Sequence, residues 1–226
     1  MHRVMRIGHR GAAGHAPENT LAAIQKGIAL GVNFVEIDVR RTADGVLVVL
    51  HDATVNRTTN GKGRVDRMCL RDINKLDAGD GEHIPTLEEV FKVAEGKTGL
   101  MLELKTRGAA QQTAEAVREA GFRDSVIYAS FLHDELQHVQ TVDPDASLMV
   151  LFGGLSRASV ARAVKYGSSC AGLRHDKATR GLVESFHRSG LRVFVYTADA
   201  LSDIQRALSL GVDGVISNFP ERIASH

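Results

Sequence analysis

Short apolar runs alternate with amphipathic stretches along almost the whole chain. Runs of strand length, rich in Val, Ile, Leu and Phe, fall at residues 4–8, 34–39, 46–50, 100–104, 125–129, 147–151, 170–173, 192–196 and 214–217. Amphipathic stretches of helical length fall at residues 20–30, 86–94, 109–120, 133–141, 157–165, 179–188 and 202–210. Glycine follows several of these stretches, at Gly31, Gly121, Gly167, Gly190 and Gly211. Within Pro17-Glu18-Asn19-Thr20, Asn19 or Thr20 supplies the first N-cap. Strand–helix alternation of this kind implies an α/β fold: a parallel sheet with helices outside it.

Nine strands are one too many for an eight-stranded barrel, and the surplus can be located. Only Arg40-Arg41-Thr42-Ala43-Asp44-Gly45 joins Val39 to Val46. That is too short for a crossover between parallel strands. Asp44-Gly45 is a strong hairpin signal, so residues 46–50 are expected to return antiparallel to the second strand. With Asp44-Gly45 as the two turn residues, Asp38 lies opposite His51. With Ala43-Asp44, Glu36 does. The following segment, residues 52–85, is rich in Gly, Asn, Thr, Asp and Arg and shows little periodicity. It is read as a small polar insertion in one domain spanning residues 1–226.

Candidate chemistry gathers at strand ends. Side chains two apart on a strand share a face, so Glu36 and Asp38 point one way while Val35, Ile37 and Val39 point the other. The apolar face suits packing against helices. The acidic face then points into the barrel, near the C-terminal mouth where barrel active sites lie. Glu103, in Leu102-Glu103-Leu104-Lys105, brings a third carboxylate to the same rim, with Lys105 on its face. Three such carboxylates form a hard oxygen site suited to Mg²⁺ or Ca²⁺, with Mn²⁺ a further candidate. No CxxC or HxxxH spacing favours zinc. His9 ends the first strand and His51 ends the hairpin return; two histidines beside such a cluster can act as general acid and general base. Arg10 offers a planar fork to a phosphate oxygen. His138 and His187, on helices, read as solvated, and His226 is terminal.

Composition narrows the setting. The chain has 226 residues, 43% hydrophobic and 24% charged, with a formal net charge of +1. No basic run with interleaved aromatics suggests nucleic-acid binding. Neither a signal peptide nor a membrane span is read at the N-terminus, so stable membrane anchoring is not expected. Cys69 and Cys170 are isolated and read as free thiols in a reducing compartment, which suits a cytoplasmic enzyme. Oligomeric state is not legible.

Taken together, these motifs resemble those of the glycerophosphodiester phosphodiesterases. The resemblance runs through His9-Arg10-Gly11, Pro17-Glu18-Asn19-Thr20, Glu36-Ile37-Asp38-Val39, Thr42-Ala43-Asp44-Gly45, His51-Asp52, Arg57-Thr58-Thr59-Asn60-Gly61, Ile84-Pro85-Thr86-Leu87-Glu88-Glu89 and Glu103-Leu104-Lys105. It ends on Gly211-Val212-Asp213-Gly214-Val215-Ile216. It implies a (β/α)8 TIM barrel with a small insertion and hairpin after the second strand. It also implies a divalent cation on Glu36, Asp38 and Glu103, and catalysis by His9 and His51. The implied reaction is metal-dependent hydrolysis of a small-molecule glycerophosphodiester to glycerol 3-phosphate and an alcohol, with Arg10 and Lys105 on the phosphate. His9 is assigned as base and His51 as acid; the attacker is water or the glycerol 2-hydroxyl.

The chain departs from the family pattern near its C-terminus. Tyr196-Thr197-Ala198-Asp199 stands where the family often has Trp-Thr-x-Asn. Ser217-Asn218 stands where Thr-Asp or Ser-Asp is frequent. With no tryptophan, an aromatic substrate wall must come from Tyr or Phe, and Tyr196 is the candidate. The rivals are a lysophospholipase D or phospholipase C-like enzyme, which needs an apolar rim, and a non-catalytic phosphodiester-binding barrel, which has no need of all five proposed catalytic and metal-ligating residues.

Overall fold

The computed structural model describes residues 4–156 and 158–223. Strand β1 (Met5–Gly8) leads through helix α1 (Leu21–Ala29) to β2 (Phe34–Arg41) and the short β3 (Leu47–Val49). A one-turn helix, α2 (Leu70–Ile73), precedes α3 (Leu87–Ala94). Alternation then continues through β4 (Gly99–Leu104), α4 (Ala110–Glu119), β5 (Val126–Ser130), α5 (His133–Val142), β6 (Ser147–Phe152) and α6 (Ser159–Lys165). It closes with β7 (Cys170–Arg174), α7 (Arg180–Arg188), β8 (Arg192–Tyr196), α8 (Leu201–Ser209) and β9 (Gly214–Ser217). All nine predicted strands are present. The expected helix start at Arg157, and His226, lie outside the described residues.

Eight strands close a parallel barrel: β1 pairs with both β9 and β2, β2 pairs with β4, and β4 to β9 follow in chain order. The fold is a TIM barrel. The pleat sorts side chains as the alternation predicts. Val35, Ile37 and Val39 of β2 and Leu100, Leu102 and Leu104 of β4 face the helices in the outer core. Ile7, Met101, Ile127, Met149, Phe194 and Ile216 fill the barrel interior. Thr20 caps α1, and Thr86 with Glu89 forms a capping box on α3.

The ninth strand is the predicted antiparallel return. β1 reaches only Phe34 and Val35 of β2, and β3 pairs with Val39, Arg40 and Arg41 above it. The register corrects both expected alternatives, because Val39 pairs with Val49 and the Leu50 amide donates to the Asp38 carbonyl at 2.9 Å. The loop is the reason. Thr42 and Val46 close it, the Gly45 amide donates to the Thr42 carbonyl, and Gly45 adopts φ +85°. This is a three-residue connection with a left-handed third residue, which shifts the ladder by one relative to a two-residue turn.

Two other expectations need correction. The insertion is not simply polar: Val55, Val65, Ile73, Ala78 and Ile84 pack with Val48 and Leu50 in a small core of their own. Its apolar residues are spaced singly, so no periodicity betrays them. His187 is not simply solvated either. Its Nε2 lies 2.8 Å from Asp213, whose carboxylate also accepts from the Val193 amide and so ties α7 to β8.

Two glycines separate backbone strain from crowding. Gly45 has no heavy atom within 4 Å of an added Cβ, so Gly45→Ala is expected to cost only the left-handed backbone penalty, ~1 kcal/mol. Gly11, at φ +91°, would place a Cβ 2.4 Å from the Ala23 carbonyl carbon in α1. Strain and collision together are expected to cost ~3 kcal/mol or more in Gly11→Ala. Urea unfolding of both variants checks the order; equal losses would refute it.

Candidate active site

The mouth of the barrel at the C-terminal ends of the strands opens into a cavity of about 260 Å³. His9, Arg10, Glu36, His51, Glu103 and Lys105 line it. Glu36 reaches it from β2 and Glu103 from β4; Asp38, the register partner of Glu103 on β2, lies beneath the lining beside them. Ligand atoms of the three carboxylates lie within 4.8 Å of one another. Lys105 stands among them, 3.1 Å from Asp38 and 2.5 Å from Glu103. Asn19 donates to Asp38 at 2.8 Å, and the Arg10 amide donates to Glu36 at 2.9 Å. Arg10 and Asn19 have φ of 51° and 60°, a conformation uncommon outside glycine. Contacts with the carboxylates and a bond from the Asn19 amide to the Arg10 carbonyl hold them there.

Burial sets the charge states. Burial and the neighbouring Asp38 push Glu36 up to about 8. Burial and Asp38 likewise push Glu103 up to about 7, against the pull of Lys105. Asp38 also meets burial, but Lys105 and Arg10 outweigh it and hold its carboxyl below the usual value. The ion pair between Lys105 and Glu103 favours ionised Glu103, whereas burial beside two other carboxylates favours the proton. Without further positive charge the second effect prevails.

The two histidines sit in different surroundings. His9 Nδ1 lies 2.7 Å from Asn218 Oδ1, and Asn218 Nδ2 donates to Asp199 at 2.7 Å. Its Nε2 lies 4.0 Å from Glu36. Burial and then Arg10 lower its pKa. His51 Nδ1 lies 2.7 Å from the Asp52 carboxylate. Burial lowers its pKa too, while Asp38 and Asp52 pull it back. An ionic chain ties the two loops together: Arg10 bonds Glu18, Glu18 bonds Arg57, and Arg57 bonds Asp52. Phe131 and Tyr196 meet edge to face at the cavity wall, and the Tyr196 hydroxyl donates to the Phe152 carbonyl. A larger groove of about 840 Å³ beside α3 and α4 contains none of these residues.

The sequence profile of the glycerophosphoryl diester phosphodiesterase family matches residues 9–222. The chain belongs to this family of enzymes. A glycerophosphodiester phosphodiesterase of Caldanaerobacter subterraneus is 36% identical, over 96% of this chain and 95% of that one. Among solved structures, an Oleispira antarctica phosphodiesterase in complex with the product sn-glycerol-3-phosphate superimposes with a TM-score of 0.89. It is 29% identical, and the match covers 96% of this chain and 94% of the other. A glycerophosphodiester phosphodiesterase of Agrobacterium tumefaciens gives 0.86 at 30% identity, over 98% of this chain and 100% of that one.

All eight site residues proposed from the sequence of this phosphodiesterase come to one barrel mouth. Seven line the cavity, and Asp38 joins them through Lys105 and Arg10. Glu18, Asn19, Arg57 and Phe131 received no role at the site from sequence, Asn19 being read only as a possible N-cap. The first three lie in quoted motifs but act on other side chains rather than facing the cavity. Asp199 and Asn218 were visible only as separate departures. Their contact joins the two: the Asn218 amide after β9 donates to the Asp199 carboxylate after β8.

Raised carboxyl values make a pH test possible. A carboxyl with a higher pKa folded than unfolded binds more protons in the native state, so stability falls as pH rises from the unfolded value toward the folded one. For Glu36 that window runs from about 4.5 to about 8, and for Glu103 from about 4.5 to about 7. The lowered histidines act oppositely below their usual value of 6.5, so a variant must isolate the carboxyl effect. In EDTA, wild-type Tm is expected to fall relative to that of Glu36→Gln across this window. A constant difference between the two melting curves would show that Glu36 ionises normally.

Proposed function

We propose that this phosphodiesterase hydrolyses a glycerophosphodiester to sn-glycerol 3-phosphate and a free alcohol. A divalent cation is bound by Glu36, Asp38 and Glu103, with His9 and His51 as the acid–base pair. The observation that carries this reading is the convergence of two histidines and three buried carboxylates on one cavity, in a family whose Oleispira member was solved with that product. The donor set fits a hard cation: it consists of anionic oxygens, and the ammonium of Lys105 is already drawn among them. Mg²⁺ and Ca²⁺ suit it, with Mn²⁺ third. A cation held there would polarise a phosphoryl oxygen and neutralise negative charge that builds on the phosphoryl oxygens.

The chain's own residues divide the remaining work. Arg10 and Lys105 offer N–H groups to the other phosphate oxygens. Asn218 has its amide nitrogen committed to Asp199, so its oxygen accepts from His9 Nδ1–H. His9 Nε2 then keeps its lone pair, and burial keeps the ring neutral. That suits a general base for either attacking oxygen, water or the glycerol 2-hydroxyl. His51 Nδ1–H faces a carboxylate, which stabilises the protonated ring and suits a general acid at the leaving alcohol. Phe131 and Tyr196 form the apolar side.

The cavity rim supports a small diester over a lipid: among the described residues, Phe131 is the one large exposed hydrophobic side chain there. No helix among the described residues is long and apolar enough to cross a membrane. The free thiols Cys69 and Cys170 support a reducing compartment, hence the cytoplasm. Barrel and insertion share β3, which supports one catalytic domain.

EDTA is expected to abolish turnover and a hard divalent cation to restore it, with a rise in Tm on rebinding. Full turnover in metal-free buffer would reject the cation site. Leaving-group dependence separates the histidines. His51→Ala is expected to lose ~10²–10⁴-fold in kcat/KM on diesters with an alkyl alcohol, and much less on a p-nitrophenyl diester whose leaving group needs no proton. His9→Ala is expected to be severely impaired on both, with bound metal checked in each variant. Rescue of His9→Ala by the aryl ester would reverse the assignment.

A further inference from the structure

A second cavity, of about 360 Å³, adjoins the catalytic one and shares Lys105 with it. Four chain segments build it: the end of β2, the insertion, the turn after β4, and Leu132 after β5. Five cationic side chains line it, Arg40, Arg41, Arg64, Lys105 and Arg107, against a single carboxylate, Asp66. Like charges brought this close repel one another in the absence of an anion. The cations are only partly engaged. Arg40 donates through Nε and Nη2 to the His51 carbonyl, and Arg41 through Nη1 to the Gly108 carbonyl. Arg64 pairs bidentately with Asp66, and Arg107 lies 4.0 Å from Asp134. A guanidinium has five N–H donors, so each retains some for a ligand.

Position gives the cavity its meaning. Arg40 grips the backbone of His51, the residue proposed to protonate the leaving alcohol, and Ala53, two residues on, lines the basic cavity. The basic cavity therefore lies on the leaving-group side. We propose that it is a second anion subsite, and that the preferred substrates are glycerophosphodiesters whose leaving alcohol carries a further phosphate. This rests on the hydrolytic reading of the adjoining site. Surface arginines that only solvate themselves would carry no such preference.

The test compares glycerophosphoglycerol with the same diester bearing a terminal phosphomonoester. Wild-type kcat/KM is expected to favour the phosphorylated diester ~10-fold or more, chiefly through KM, and the preference should shrink as salt rises. In Arg41→Ala/Arg64→Ala the preference is expected to vanish while turnover of glycerophosphoglycerol stays unchanged. Arg64→Glu, at an exposed position, repeats the test should the double variant fold poorly. Inorganic phosphate, the other source of the same chemistry, is expected to raise KM for the phosphorylated diester alone; inhibition of both diesters equally would overturn the proposal. So would a wild-type ratio near one, or a ratio kept in both variants. If neither diester is hydrolysed, the hydrolytic reading fails, and calorimetry with the same two diesters still decides the subsite. Tighter binding of the phosphorylated one, lost in the variants, supports it, and equal Kd values overturn it.

Discussion

Mutual repulsion of three buried carboxylates is the constraint around which the barrel mouth is built. Glu36, Asp38 and Glu103 lie within 4.8 Å of one another in a poorly solvated place. Each ionised pair costs roughly 3 kcal/mol at an effective dielectric of about 20. Burial and this repulsion favour a proton on Glu36, and Lys105 and Arg10 lie against Asp38. Asn19 and the Arg10 amide add hydrogen bonds, and two residues hold left-handed backbone to supply them. A divalent ion resolves the same conflict with more charge in less space. A cluster of carboxylates that repel one another is therefore suited to binding a cation.

The hairpin extends this centre to the second histidine. β1 is short, so the upper edge of β2 is left open for β3. The chain leaving β3 bends at His51 instead of continuing the ladder, and the ring reaches the cavity from outside the eight parallel strands. Arg40 holds its backbone from below while the Asp52–Arg57–Glu18 chain fixes it from the side. The insertion's small core on Val48 and Leu50 makes that support rigid.

Two chemically identical side chains thus acquire different properties. His9 is the more enclosed and faces a neutral amide; His51 is more open and faces a carboxylate. Asn218 stands between the His9 ring and the Asp199 carboxylate, so the charge lies one residue further from the ring than the amide. The cationic wall beyond Lys105 adds positive potential on the side of His51.

Sequence alone determined the strand–helix alternation, the surplus antiparallel strand and the inward direction of Glu36, Asp38 and Glu103. These follow from periods of two and 3.6 residues, which are local properties of the chain. It also marked His9 and His51 through their places at strand ends. Only the tertiary structure decided the hairpin register, since Gly45 in left-handed backbone makes a three-residue loop from a motif equally compatible with two. The insertion's core was hidden because singly spaced apolar residues form a cluster only after the loop folds. The same holds for Asp199 with Asn218, and for the arginine-lined cavity. Each brings together residues from segments distant in sequence, and their contacts depend on barrel closure, which no local pattern encodes.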